Sequence, residues 1–320
     1  MGARGTLVNN LISLIGKTPI IKLNKLSPKD VNIFVKLEYL NPTGSHKDRI
    51  ALYMIKDAIN KGLLSPGSKL IEASSGNTAM SVAWLSSLLG FKPILVVNEN
   101  VSPNKINAIK ALGGEVVLAP YVPAEHPQSK YSVAKRISED LGIPYLNQMG
   151  NEANVKAHYE TTGPEIFEAL KGEIDYFVMG IGTCGTLAGV GKYLKEKLGT
   201  RIKLVGVVPK GSKVLHKDSI GGSDYIEGLV SEYVPEIFLR YGNIIDYILE
   251  VSYEDAIKTL SKVVKYEGIL GGPSTGANIT ASIRIGEELG AQGIKANIVT
   301  LAPDSIFKYP QLIDHVIKYV

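Results

Sequence analysis

Four short segments of this 320-residue chain combine reactive or polar side chains with a turn that leads into a helix-like stretch. In the first, Asn41-Pro42-Thr43-Gly44-Ser45-His46-Lys47-Asp48-Arg49, Lys47 stands just before an apolar-periodic helix beginning near Ile50. The helix macrodipole disfavours a cation at that end. Schiff-base formation would give the placement a reason, because the imine consumes the amine and a desolvated lysine is a better nucleophile. The plain alternative is a solvated lysine beside Asp48.

The second segment, Glu72-Ala73-Ser74-Ser75-Gly76-Asn77-Thr78, ends an apolar strand and opens a helix. Ser74, Ser75, Gly76 and Thr78, with the amides of the helix start, suit a carboxylate, and Asn77 offers both a donor and an acceptor. In the third, Gly180-Ile181-Gly182-Thr183-Cys184-Gly185-Thr186, glycines and threonines lie between a strand and a helix, as a phosphate cup requires. It is neither a Walker sequence nor the spaced dinucleotide fingerprint. In the fourth, Gly271-Gly272-Pro273-Ser274-Thr275-Gly276-Ala277, Ser274 could donate to a ring nitrogen. Helix capping and a tight strand-to-helix turn are the plain alternatives for these three.

The elements that must position these segments alternate between short β-branched runs and longer helical periodicities, the pattern of an α/β fold with mostly parallel sheets. Strands are expected at 32–37, 69–73, 93–97, 115–118, 176–179, 203–208 and 297–301, and helices at 78–89, 104–112, 131–141, 153–170, 186–198 and 253–267. Turn formers at 150–153 suggest a smaller domain over 43–147, with 1–42 and 148–320 forming a larger one. The 210–223 loop is the one long stretch without periodicity.

A hydrophobic fraction of 45% and a charged fraction of 21% fit a globular chain. The net charge of +4 is spread along it without long basic runs, which argues against a nucleic-acid partner. The single cysteine, Cys184, excludes an intrachain disulfide and a cysteine-based metal cluster, so no metal and a reducing, cytoplasmic setting are expected. The start lacks the layout of a signal peptide and no stretch is long and apolar enough for a membrane span.

Together the four segments supply an amine, a carboxylate cradle, a phosphate cup and a ring-nitrogen partner, a set that matches pyridoxal 5'-phosphate. From Ser13-Leu14-Ile15-Gly16-Lys17-Thr18-Pro19 to Ala302-Pro303-Asp304-Ser305 the chain resembles the cysteine synthase and cystathionine β-synthase family of fold-type II pyridoxal-phosphate enzymes. The resemblance implies that Lys47 carries the cofactor as an internal aldimine and that Asn77 meets its ring hydroxyl. Gly182, Thr183, Cys184, Gly185 and Thr186 would hold its phosphate, and Ser274 would face its nitrogen. It further implies that Ser74, Ser75, Gly76, Thr78, Gln148 and Gly228 serve the amino-acid substrate. His158-Tyr159-Glu160-Thr161-Thr162-Gly163-Pro164-Glu165-Ile166 is a run typical of sulfhydrylase members.

The implied reaction is β-replacement through an aminoacrylate, making L-cysteine from O-acetylserine or O-phosphoserine and sulfide, with Lys47 as the proton carrier. Condensation of serine with homocysteine is the alternative, and a homodimer is expected. Three features depart from the family pattern. Cys184 and Ala79 replace glycines, which is tolerable if the backbone there does not need positive φ. Glu227-Gly228-Leu229-Val230-Ser231-Glu232-Tyr233 stands where acetylserine-using members have a glycine-richer run, leaving acetate, phosphate and hydroxide open as leaving groups. Lys210, Lys213, His216 and Lys217 could meet a phosphorylated serine.

Overall fold

The computed structural model describes residues 8–217 and 222–319. Among the described residues nine strands form two sheets. β1 (Ile20–Lys22), β2 (Val31–Leu37), β6 (Tyr176–Gly180), β7 (Lys203–Pro209), β8 (Tyr247–Val251) and β9 (Ala296–Ala302) build the larger, in the order β1-β2-β9-β6-β7-β8. β3 (Lys69–Ala73), β4 (Lys92–Asn98) and β5 (Glu115–Ala119) build the smaller in sequence order. Every pairing between these strands is parallel except β1 with β2.

The central strands of the large sheet are apolar on both faces, as a parallel sheet covered by helices requires. Val178, Val205, Val207 and Ile298 point into one core, against Ala277, Ile279 and Ile285 of helix Pro273–Ala291. Phe177, Leu204, Val299 and Leu301, one residue out of phase, point into another against Leu187, Val190 and Leu194 of helix Gly185–Leu198. This two-residue alternation fixes the register, since a one-residue slip would exchange the two cores. The small sheet is covered on one face by helices Lys47–Asn60 and Asn77–Leu88 and on the other by helix Lys130–Leu141.

The helix expected over 153–170 is continuous in path but not uniform. It runs as Glu152–Ala157, one π turn His158–Thr162, and Gly163–Ala169. The strands Ile20–Lys22 and Tyr247–Val251, both at sheet edges, were not expected from periodicity; of their residues only Val251 is fully buried, so neither carries the apolar run of a central strand. For the site the useful consequence is directional. Glu38, Ser74, Ile181 and Pro303 directly follow, or follow within one residue, the C-terminal ends of β2, β3, β6 and β9, the edge at which open parallel sheets bind ligands.

Candidate active site

Helix α1 (Lys47–Asn60) begins at Lys47. The amide of Lys47 donates to Ser45 Oγ (3.2 Å) and that of His46 to the Pro303 carbonyl (2.9 Å), which pins the turn to the end of β9. Asp48 does not pair with Lys47. Its carboxylate accepts from the amide and hydroxyl of Thr43 (2.8 and 2.5 Å) and from Ser81 (2.6 Å). The Lys47 ammonium thus has no ion-pair partner among the described residues. Burial brings its pKa down to about 8, against a smaller upward pull from Asp304.

Asn77 begins helix α2 (Asn77–Leu88). Its Nδ2 donates to Asp304 Oδ2 (2.6 Å) and its Oδ1 accepts from Lys308 Nζ (2.7 Å). Asp304 is a hub: it bridges to Ser45 beside Lys47, its carbonyl accepts the Gly272 amide (2.9 Å) two residues before Ser274, and its Oδ2 also accepts from the Tyr309 hydroxyl. Its other oxygen, Oδ1, is buried without a hydrogen-bond partner among the described residues.

The carboxylate-cradle residues also assemble. Thr78 Oγ1 donates to Gln148 Oε1 (2.6 Å), and the Gln148 side-chain amide reaches the Ala73 carbonyl (3.5 Å). The Asn98 amide donates to Ser75 Oγ (3.0 Å) and the Gly76 amide to Ser74 Oγ (3.4 Å). A Cβ placed on Gly76 would meet nothing within 4 Å, so the loop faces open space there.

The glycine-rich turn closes on the same place. A Cβ at Gly182 would stand 2.5 Å from the Gly228 carbonyl, and one at Gly185 2.0 Å from Asn154 Oδ1; neither position admits a larger residue without displacing neighbours. Gly228, at φ +94°, lies against Ser274, 3.7 Å from where its Cβ would be. The amides of Gly182, Thr183 and Cys184 have no hydrogen-bond acceptor among the described residues, nor has the Ser274 hydroxyl. Asn154 Nδ2 joins this turn to the cradle, donating to Thr183 Oγ1 (3.0 Å) and to the Gln148 carbonyl (2.8 Å). Thr186 Oγ1 is held by His158 Nε2 (3.1 Å), whose other nitrogen meets Thr162 (2.9 Å). Burial keeps His158 neutral, its pKa near 3.

One expectation needs correction. Cys184 sits at φ +68°, in the left-handed region, so the condition under which it would substitute freely for glycine is not met. Ala79, by contrast, lies buried inside α2 with helical backbone. His216 pairs with Glu250 (2.9 Å) on the surface, and the Lys213 amide donates to the Ser231 carbonyl (2.8 Å) of the run that follows Gly228; 218–221 of that loop lie outside the described residues.

Comparison with known proteins adds the family. A model of the pyridoxal-phosphate dependent enzymes matches residues 11–304. The chain belongs to the pyridoxal-phosphate-dependent enzymes. It is 38% identical to a cysteine synthase of Staphylococcus aureus over 94% of this chain and 95% of that one. It is 36% identical to a cystathionine beta-synthase of Apis mellifera over 95% of this chain, spanning 60% of that longer protein. An O-ureido-L-serine synthase structure superposes with a TM-score of 0.89 at 31% identity, covering 98% of this chain and 96% of that one.

The cofactor that defines the family fits these residues. Three free amides at the start of a helix, crowded by glycines, suit a phosphate. An unpaired lysine near neutrality suits an aldehyde, and an unengaged serine hydroxyl suits a ring nitrogen. Sequence patterns did not reveal Asp304 and Lys308 as partners of Asn77 or Tyr309 as a partner of Asp304, nor the ion pair between Lys105 and Glu227 at the same site. Asn77 and Lys308 are 231 positions apart, and no local periodicity signals such a pair.

Proposed function

We propose that the protein makes L-cysteine by β-replacement on an activated serine, with sulfide as acceptor, and that Lys47 is its catalytic residue. The observation that carries this reading is the unpaired Lys47, depressed to about 8, beside a carboxylate cradle and a glycine-lined anion cup. The similarity to a cysteine synthase over nearly the full length of both chains supports it.

In this reading Gly182, Thr183, Cys184, Gly185 and Thr186 hold the cofactor phosphate, Asn77 meets the ring hydroxyl and Ser274 the ring nitrogen. Ser74, Ser75, Gly76, Thr78, Gln148 and Gly228 orient the amino acid. When bound, pyridoxal phosphate supplies an electron sink for the substrate's α-carbon. Lys47 anchors the cofactor at rest. Displaced by the incoming amine, its Nζ takes the α-proton; after the β-leaving group departs and the nucleophile adds, Nζ returns a proton to the same carbon. A pKa near 8 suits both directions, because a base far above the working pH would stay protonated.

Condensation with homocysteine is the second reading, favoured by the honeybee relative. The halves 43–147 and 1–42 with 148–320 are proposed as domains, each carrying one sheet, and a cytoplasmic homodimer follows from the resemblance, the lone cysteine and the prevalence of two-fold oligomers. Among the described residues no helix is long and apolar enough to cross a membrane.

The visible spectrum of the purified protein tests the reading. O-acetylserine, O-phosphoserine or serine is added first, then sulfide or homocysteine. A visible band that one donor shifts and sulfide restores is the expected result, and it names the leaving group. Restoration by homocysteine alone would move the assignment to the second reading; no visible band after supplying the cofactor would reject both.

A further inference from the structure

The carboxamide of Asn77 is gripped from both ends by opposite charges. Its oxygen accepts from the Lys308 ammonium at 2.7 Å and its nitrogen donates to the Asp304 carboxylate at 2.6 Å. Rotating the amide by half a turn would set the ammonium against NH2 and the carboxylate against C=O, replacing two charge-assisted bonds by two repulsions. Only one orientation survives. In it, the amide nitrogen lies on the side of Asp304 and of the Tyr309 hydroxyl that shares the same carboxylate oxygen, and the carbonyl oxygen on the side of Lys308.

Both grips are themselves held. The Tyr309 hydroxyl donates to the same Asp304 oxygen, and the Asp304 backbone is tied to Gly272 and Ser45. Lys105 lies over the Tyr309 ring, 5.5 Å from its centre, while pairing with Glu227. Beginning a helix does not call for this arrangement, since a capping side chain accepts from a backbone N–H and these two bonds run to the side chains of Asp304 and Lys308.

We propose that Asp304 and Lys308 are positioning residues that lock the orientation of the Asn77 amide, so that it meets the cofactor's ring hydroxyl with its NH2 group and not with its carbonyl oxygen, and so hold that hydroxyl ionised. The inference rests on the placement of the ring hydroxyl at Asn77 in the proposed function. A donor aimed at an acidic oxygen favours its deprotonated form, and a carbonyl oxygen aimed at it favours the protonated one. Freeing the amide to turn over therefore raises the protonated share.

The experiment compares the resting holoenzyme, without substrate, in the wild type and in Asn77→Ala, Asp304→Ala, Lys308→Met and Lys308→Arg. The readout is the ratio of the long-wavelength visible band, from the ionised ring, to the short-wavelength band, from the protonated ring, at one pH. Asp304→Ala and Lys308→Met are expected to lower it about tenfold, the scale of one hydrogen bond to a charged group. Lys308→Arg restores it. Lys308 is partly exposed, so Lys308→Met serves even if Asp304→Ala fails to fold.

If Asn77→Ala shifts the ratio but Lys308→Met leaves it unchanged, the lock is overturned while the site reading stands; a merely structural role would lower cofactor retention without moving the ratio. If Asn77→Ala leaves the ratio unchanged, the placement of the ring hydroxyl at Asn77 fails first and the lock with it.

Discussion

Lys47 and Arg49 stand two residues apart at the start of one helix, and the fold treats these two cations in opposite ways. Arg49 is fully engaged: Nε and Nη2 donate to both oxygens of Glu38 (2.8 Å each), and Nη1 and Nη2 to both oxygens of Glu165 (2.7 and 2.8 Å). Lys36 adds a second cation to Glu165 at 2.7 Å, and Thr18 a hydroxyl to Glu38 at 2.5 Å. Burial alone would raise Glu38, but Arg49 and Lys36 outweigh it and hold the carboxyl at about 2. At Lys47 nothing of the kind is supplied, and burial wins. A buried charge that is completely paired stiffens a structure; one left unpaired destabilises it and persists where it has chemistry to do.

Substitution at each position separates the two roles. Lys47→Ala should lower turnover by about a thousandfold or more, the scale of a lost proton carrier, while the cofactor-free protein unfolds no more easily than wild type. Steady-state rates and denaturant midpoints measure the two halves of that statement. Arg49→Met should do the reverse. It strands Glu38, which is 0% exposed, and is expected to remove about 3–5 kcal/mol of stability, read from urea unfolding. If Arg49→Met unfolds at the wild-type midpoint, the paired cluster is not what anchors α1.

Proton linkage sharpens the contrast. The folded-state value of Lys47, about 8, lies below its unfolded value of 10.5, so between those limits the unfolded chain binds the extra proton and stability rises with pH. Lys47→Met should therefore stabilise the cofactor-free protein at pH 7, and the advantage should shrink as the pH approaches 10.5. Glu38 has the opposite sense: lowered from 4.5 to about 2, it contributes stability above pH 4.5 that is lost as the pH falls toward 2. Urea unfolding of wild type and variant across both windows checks the signs.

How much of this was legible beforehand follows from the distance over which each signal acts. Lys47, Ser74, Asn77, Gly182 and Ser274 each sit in a strand-to-helix or loop-to-helix turn, and turns announce themselves in three to seven neighbouring residues. Parallel strands did so too, because Phe177-Val178-Met179 and Val205-Gly206-Val207 are apolar on both faces. The grip of Asp304 and Lys308 on Asn77, and that of Glu165 on Arg49 across 116 positions, exist only after the sheets have brought distant segments together. The π turn at His158–Thr162 was hidden for a different reason. Its apolar spacing resembles that of an ordinary helix, and the widened turn lies against Gly189, a residue far along the chain, where a Cβ would meet the Val155 carbonyl at 2.3 Å and His158 Cβ at 2.8 Å.

The smallest expected effect concerns Cys184, the other buried group that the comparison of Lys47 with Arg49 helps to place. Like Lys47 it is buried without an ionic partner, and burial alone pushes its thiol up to about 12, so the pKa of Lys47 moves toward reactivity and that of Cys184 away from it. A thiol reagent at pH 8 should leave the native protein unmodified and react with one equivalent after unfolding; rapid labelling of the native state would show that the turn opens. Cys184→Gly should relieve about 1–2 kcal/mol of left-handed strain at φ +68°. Against that stand the buried side chain, about 1 kcal/mol, and the extra freedom of glycine in the unfolded chain, another 0.5–1 kcal/mol or so. The terms nearly cancel, so the melting point should barely move, whereas Cys184→Val, β-branched at positive φ, should lower it clearly. A pronounced gain for Cys184→Gly would mean that strain dominates at this turn.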